Sequence, residues 1–282
     1  MEITQAVCLT HSMGVSPGGK YMEPPIKLQK DEGIARIYLN RPQAFNAFDL
    51  EMIELLAKTL ISLSMDNSVS GVIISGEGKA FCAGGDLRWA NNFPGGAAAA
   101  FHELAARYHQ AILEIRRMRK PVIAAVNGIA AGGGFSLALA CDFRVMAKSA
   151  IFRQAYTSNG LCIDGGGTFI LPRVVGLARA MEIIGFDEPI SSKQAMEWGL
   201  ATKVVEDGQA QDEAMKMMRD LEKCSLHSFG WCKDLVTDSF NTPFETHIQK
   251  ERSALSQCAA HQDGQEGLKA FAEKRKPCFK GK

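Results

Sequence analysis

Apolar residues run without interruption through Val122–Val126, stop at Asn127-Gly128, cross three consecutive glycines at 132–134 and resume over 135–140. A run without alternation is the pattern of a strand covered on both faces, or of a buried helix segment. Glycines ahead of a helix leave its first N–H groups open to close approach, and the helix dipole favours negative charge there. The segment therefore predicts a strand, a bare turn and a helix N-terminus aimed at an anion or a developing oxyanion. Residues 69–75 form a second buried strand leading into another glycine-punctuated turn, 76–87. A third such turn, 159–170, holds Asp164 among apolar neighbours.

The remaining pattern surrounds these turns with ordinary elements. Residues 27–29 and Ile34–Leu39 flank Asp31-Glu32-Gly33, a hairpin signal. Asp49 is a good N-cap for a helix over 50–64, with Met52, Ile53, Leu56 and Leu60 on one side. A longer helix through Met118 carries His102 and His109 on one face, where packing or solvent contact is the expected role and substrate gating the alternative. Strands follow at 143–146, 151–156 and 201–205, with helical pattern after Pro172 and a helix capped by Ser191 or Ser192. From Gln209 the chain reads as helix only, with Thr242-Pro243-x-Glu245 as a capping box. The fold class is α/β: an irregular arm (1–26), an α/β core (27–209) and a helical C-terminal region (210–282).

Composition narrows the function classes. The chain has 282 residues, 46% hydrophobic and 22% charged, as in a soluble globular protein with one large core. A formal net charge of +1 gives no case for nucleic acid or a membrane surface as partner. The basic clusters at 116–120 and 274–282 read as solvated helix ends or as contacts for a phosphate-bearing small ligand. No long apolar span occurs and the first residues lack a basic n-region, which points to a cytoplasmic protein. Eight cysteines without a C-x-x-C pair, mostly among apolar neighbours, fit reduced core thiols. Cys224, His227 and Cys232 are spaced loosely like metal ligands but lack a fourth, so no metal is expected. Gly14-x-x-x-x-Gly19-Lys20 is near a P-loop, yet Tyr21 replaces the magnesium-binding hydroxyl and no strand leads into it.

Two of the glycine turns can offer N–H groups to one oxygen, at about 3–4 kcal/mol of barrier per donor. The carboxylate in the third can exchange a proton with carbon. Together they fit proton or bond chemistry beside a thioester carbonyl. A rival lies in Gly134-Phe135-Ser136-Leu137-Ala138, close to a nucleophile elbow, with Asp164 and His227, His247 or His261 in hydrolase order. The final Ala and the lack of an HGGG loop count against a serine hydrolase.

The segments LNRPQAFNAFDLEM, GKAFCAGGDL, KPVIAAVNGIAAGGGFSLALACDFRV, DGGGTFILPRVVG, ISSKQAMEWGLATKVV and AFAEKRKPCFKG occur in this order. Together they resemble the successive blocks of the crotonase family, the enoyl-CoA hydratases and isomerases, over residues 27–282. The resemblance implies a crotonase-type spiral of ββα repeats, with a C-terminal helical region that assembles a homotrimer or a dimer of trimers. It implies an acyl-CoA thioester substrate, with coenzyme A arriving as part of it and no permanently bound cofactor. The oxyanion donors would be the N–H groups of Gly85 and Gly133. Coenzyme A contacts would fall on Ala44, Phe45, Ala47, Lys79, Ala80, Phe81 and Leu87. Phe271 and Lys274 or Lys276 would approach the nucleotide end.

Departures from the hydratase pattern bear most on function. The two positions at which hydratases of the family carry glutamates hold Ser136 and Tyr156 here. Asp164 instead opens the D-G-G-G-T turn, which resembles the isomerases of the family. The expected activity is therefore an acyl-CoA isomerase that moves a double bond or ring system, with Asp164 as the base and Tyr156 and Ser136 as hydrogen-bonding groups. A hydratase, an enzyme forming or cleaving C–C bonds, and a non-catalytic CoA-binding protein are the alternatives. Trp89, Phe93, Phe101 and Tyr156 are candidate pocket aromatics.

Overall fold

The computed structural model describes residues 23–280, so the P-loop-like stretch and most of the expected arm lie outside it. Strands β1 (Ile26–Asp31) and β2 (Ile34–Leu39) pair antiparallel, Ile26 opposite Leu39. Glu32 and Gly33 both take positive φ, 45° and 87°, the turn geometry that matches the twist of a two-residue hairpin. Helix α1 (Leu50–Met65) starts at Asp49, whose carboxylate accepts the Met52 N–H at 2.9 Å.

From there the chain winds. Strand β3 (Gly71–Gly76) is followed by β4 (Ala80–Cys82), and helices α2 (Leu87–Asn91) and α3 (Gly96–Arg117) close the turn. The next turn supplies β5 (Val122–Val126), β6 (Ile129–Ala131) and α4 (Gly133–Ala140). A third supplies β7 (Phe143–Ala147), β8 (Ile151–Arg153), α5 (Gly167–Val175) and α6 (Leu177–Phe186). The first strand of each turn joins one six-stranded sheet, and the second joins a smaller sheet beside it. Strand β9 (Ile190–Ser191), helix α7 (Ser192–Glu197) and strand β10 (Lys203–Val205) complete both sheets, in the orders β1-β2-β3-β5-β7-β10 and β4-β6-β8-β9. Every residue of β3 and β5 is buried, which accounts for their unbroken apolar runs.

Helices α8 (Ala210–Leu221), α9 (Leu226–Asp238), α10 (Phe244–Ala260) and α11 (Gln262–Ala272) follow. A buried ion pair fastens α9 to the spiral: Lys233 Nζ lies 2.7 Å from Asp142 Oδ2, and the same carboxylate oxygen accepts the Val122 N–H at 2.8 Å. No described helix is long and apolar enough to cross a membrane.

Several local expectations change. Helix α5 begins before Pro172 and contains it; the ring costs one intrahelical bond and the helix continues. Thr242 does not cap α10, because its hydroxyl donates to the Asp238 carbonyl and Pro243 occupies the cap position. A capping box forms instead at Ser191 and Gln194. His227, one of three residues spaced loosely like metal ligands, stacks on His261 with centroids 3.7 Å apart and accepts a bond from Trp231 Nε1.

Candidate active site

Phe48 and Gly85 form an isolated parallel bridge. The Phe48 N–H donates to the Gly84 carbonyl at 2.7 Å, and the Asp86 N–H donates to the Phe48 carbonyl at 2.8 Å. That pattern turns the Gly85 N–H away from Phe48. Arg41 holds the loop from behind, with Nη2 2.9 Å from Asp86 and 3.1 Å from Asp49. Gly133 is the first residue of α4, so its N–H has no intrahelical acceptor. Among the described residues neither N–H is engaged by a backbone carbonyl from another turn. The two turns touch: Gly84 has φ +91°, and a Cβ placed on it would stand 2.9 Å from the Ala131 carbonyl and 3.0 Å from the Gly133 nitrogen.

Gly85, Gly133, Tyr156 and Asp164 line one cavity of about 270 Å³, with Phe48, Phe101, Leu104 and Tyr108 among its apolar walls. Asp164 is the sole carboxylate in that lining. Tyr156 donates its hydroxyl to Asp164 Oδ1 in a short hydrogen bond. Burial, reinforced by the Asp164 charge, raises the Tyr156 pKa, so the phenol stays a neutral donor. His109 Nε2 stands 3.5 Å from Asp164 Oδ2 and accepts the Gly165 N–H at 3.3 Å. Gly165 has φ +61°, and a Cβ there would lie 2.3 Å from the Tyr108 ring, so the turn admits only glycine. Tyr108, whose pKa burial also raises, donates to the Gly133 carbonyl at 2.5 Å and so joins α3 to the start of α4.

Ser136 sits behind this wall. It is buried, and its hydroxyl donates to the backbone carbonyl of Asp164 at 2.9 Å. No histidine contacts it among the described residues, which removes the base that a serine hydrolase needs. Of the four expected pocket aromatics, Phe101 and Tyr156 line the cavity, whereas Trp89 and Phe93 pack on each other at 5.0 Å. Phe48 and Tyr108 went unmarked because contacts between turns leave no local spacing, and His109 was marked only as packing or gating. Cys162, expected in the core, is exposed at the cavity wall, while Cys82 and Cys141 are buried.

Two of the segments expected to meet coenzyme A are tied together, with Ala47 itself buried. Asn46 is fully buried and donates to the carbonyls of Glu77 (3.0 Å) and Ala80 (2.8 Å), joining Ala44–Ala47 to the turn at Lys79. Phe45, Leu87 and Lys79 are exposed there. Ala80 and Phe81 are buried, so their side chains face the core and only their backbone remains for a ligand. Phe271, 86% exposed, and Lys274 lie at and beyond the end of α11, and neither lines the cavity. A larger open groove of about 450 Å³ between α9 and α10 holds Asp234, Asp238 and Lys250.

Known proteins resemble this arrangement along nearly the whole chain. Residues 29–282 match the enoyl-CoA hydratase/isomerase family. The chain is 36% identical over 253 residues to a 1,2-epoxyphenylacetyl-CoA isomerase of Escherichia coli, covering 89% of this chain and 97% of the relative. It is 36% identical over 256 residues to a crotonyl-CoA hydratase of Syntrophomonas wolfei, covering 90% and 97%. The crystal structure of an enoyl-CoA hydratase from Polaromonas sp. JS666 superposes with a TM-score of 0.85 at 35% identity, covering 90% of this chain and 99% of that one. The chain is thus an enzyme of the crotonase, or enoyl-CoA hydratase/isomerase, family.

Proposed function

We propose that this enzyme isomerises acyl-CoA thioesters, with Asp164 moving the proton and the N–H groups of Gly85 and Gly133 holding the thioester oxygen. The observation that carries this reading is that Asp164 is the one acid in the cavity lining, while Ser136 and Tyr156 stand at the hydratase glutamate positions. Asp164 takes a proton from the acyl chain, and the electron pair passes to the thioester as an enolate. Two backbone donors on that oxygen contribute about 3–4 kcal/mol each to the transition state. The same carboxyl then returns the proton at another carbon. Tyr156 supports the carboxylate through Oδ1, and Ser136 fixes the backbone of its turn.

Phe45, Leu87 and Lys79 are the exposed groups nearest the expected coenzyme A path. Phe271 and Lys274 complete that path in the proposed homotrimer or dimer of trimers. Exposed Phe169, Leu177, Met181, Phe244 and Leu255 supply apolar surface for such an assembly. Buried, unpaired Cys82 and Cys141 fit a cytoplasmic setting. Similarity to an epoxyphenylacetyl-CoA isomerase adds an aryl acyl group to the candidates, and the aromatic wall of Phe48, Phe101 and Tyr108 suits one. The test is a panel of enoyl-, epoxyaryl- and ketoacyl-CoA thioesters scored for isomerised, hydrated or cleaved product. Isomerised product that disappears in Asp164→Asn supports the reading; hydrated product, or turnover indifferent to that substitution, overturns it.

A further inference from the structure

We infer that His109 relays the proton held by Asp164 to and from solvent. This rests on the assignment of Asp164 as the base, and it gives a chemical role to a helix histidine that the sequence marks only as packing or gating. The two oxygens of Asp164 face different partners. Oδ1 takes the hydroxyl of Tyr156, a neutral donor that keeps its own proton, so no proton leaves by that side. Oδ2 faces His109 Nε2 at 3.5 Å. That separation exceeds a formed hydrogen bond by a few tenths of an ångström, a gap of the kind that closes when substrate binds.

The ring is already aimed. An Nε2 that accepts the Gly165 N–H carries its lone pair there, so in the neutral imidazole the ring proton resides on Nδ1. Nδ1 has no protein partner among the described residues, and half of the side chain is exposed. The nitrogen beside the acid therefore holds its lone pair on the Gly165 N–H, and the N–H sits on the far nitrogen of a half-exposed ring. The other titratable group against the ring is Tyr108, which is committed to the Gly133 carbonyl, while Tyr156 is committed to Asp164.

The steps balance. The substrate C–H bond breaks, its electron pair remains in the enolate, and Asp164 Oδ2 gains the proton. Nε2 then releases the Gly165 N–H and takes the proton from Oδ2–H, and the imidazolium loses its Nδ1 proton to water. Run backwards, a solvent proton enters at Nδ1 and reaches the second carbon through Asp164. Without the imidazole, Asp164 keeps the proton it removed and hands back the same one.

Isotope retention reads this directly. With trans-β,γ-hexenoyl-CoA in heavy water, wild-type product is expected to carry solvent deuterium. In His109→Gln, whose amide oxygen can still accept the Gly165 N–H, solvent label per turnover should fall about tenfold, and the turnover rate by less. In His109→Ala, added imidazole should restore the label. Wild-type product free of solvent label overturns the relay. So does unchanged label in both variants, or a parallel loss of rate and label that imidazole leaves unmoved, which is the mark of a merely structural residue. If the wild type isomerises none of the thioesters in the panel, or Asp164→Asn retains turnover, the base assignment falls and takes the relay with it. An Asp164-dependent enzyme with unmoved label loses the relay alone.

Discussion

The turns at Gly84-Gly85 and Gly132-Gly133 and the turn at Asp164-Gly165 face the same cavity but are built on opposite terms. In the first two, chemistry would come from backbone N–H groups, and the surroundings are rigid and buried. A Cβ on Gly134 would stand 2.1 Å from the Cys82 carbonyl, so the backbones of the two turns are in contact and glycine is required. In the third, chemistry would come from side chains, and Asp164 and His109 keep about a third and a half of their surface exposed. A scaffold that fixes donors through its backbone can keep them while the side chains opposite change. On the proposed reading, the third turn is the place where a change of side chain would change the reaction.

The sharpest way to break this contrast is Asp164→Asn. General acid–base contributions run to about a hundredfold to ten-thousandfold in rate. We expect isomerase turnover to fall by that much with the thermal unfolding midpoint nearly unchanged, because the side chain bears no core packing. A comparable loss of stability would mean that the third turn is as structural as the others.

The second substitution attacks the scaffold behind the Gly132-Gly133 turn. Lys233→Met leaves the Asp142 carboxylate buried beside Val122, and breaking a buried pair costs about 3–5 kcal/mol. Burial raises the Asp142 pKa even with its partner present. A raised carboxyl pKa gives a penalty that is absent below the unfolded value and sets in as pH rises through the folded one. Denaturant midpoints should therefore show the variant weakest at neutral pH and partly recovered in mild acid. The double variant with Asp142→Asn should regain most of the loss. Gly134→Ala probes the same scaffold more locally: relief of the 2.1 Å contact should cost about 1–3 kcal/mol, with turnover per folded molecule falling as well.

What could be read from the chain follows the same division. The buried strands β3 and β5, the Asp49 cap and the hairpin at Glu32-Gly33 are local patterns, and each stands where its pattern predicts. The glycines of the first two turns were equally legible, because close approach of backbone leaves glycine as its trace. Asp164 was visible as an acid in an apolar stretch and through its place in a family block. His109 was not, since its meaning depends on α3 lying against a turn more than fifty residues later. The failed cap at Thr242 has the same origin: a hydroxyl that local spacing assigns to the next helix is taken by the preceding Asp238 carbonyl.

The smallest expected effect sharpens the contrast within the third turn itself. Tyr156→Phe removes the hydroxyl that, among the described residues, alone bonds Asp164 Oδ1, and leaves the ring in the cavity wall. A hydrogen bond to a charged group contributes about 1.5–3 kcal/mol, so turnover should fall roughly ten- to a hundredfold. KM should move little, because the lost hydroxyl faces the carboxylate rather than the surface proposed for coenzyme A at Phe45 and Leu87. A drop confined to KM would make Tyr156 a wall of the acyl pocket. A drop in turnover with KM unchanged makes it the support of the base, held as a neutral donor by the same burial and charge that raise its pKa.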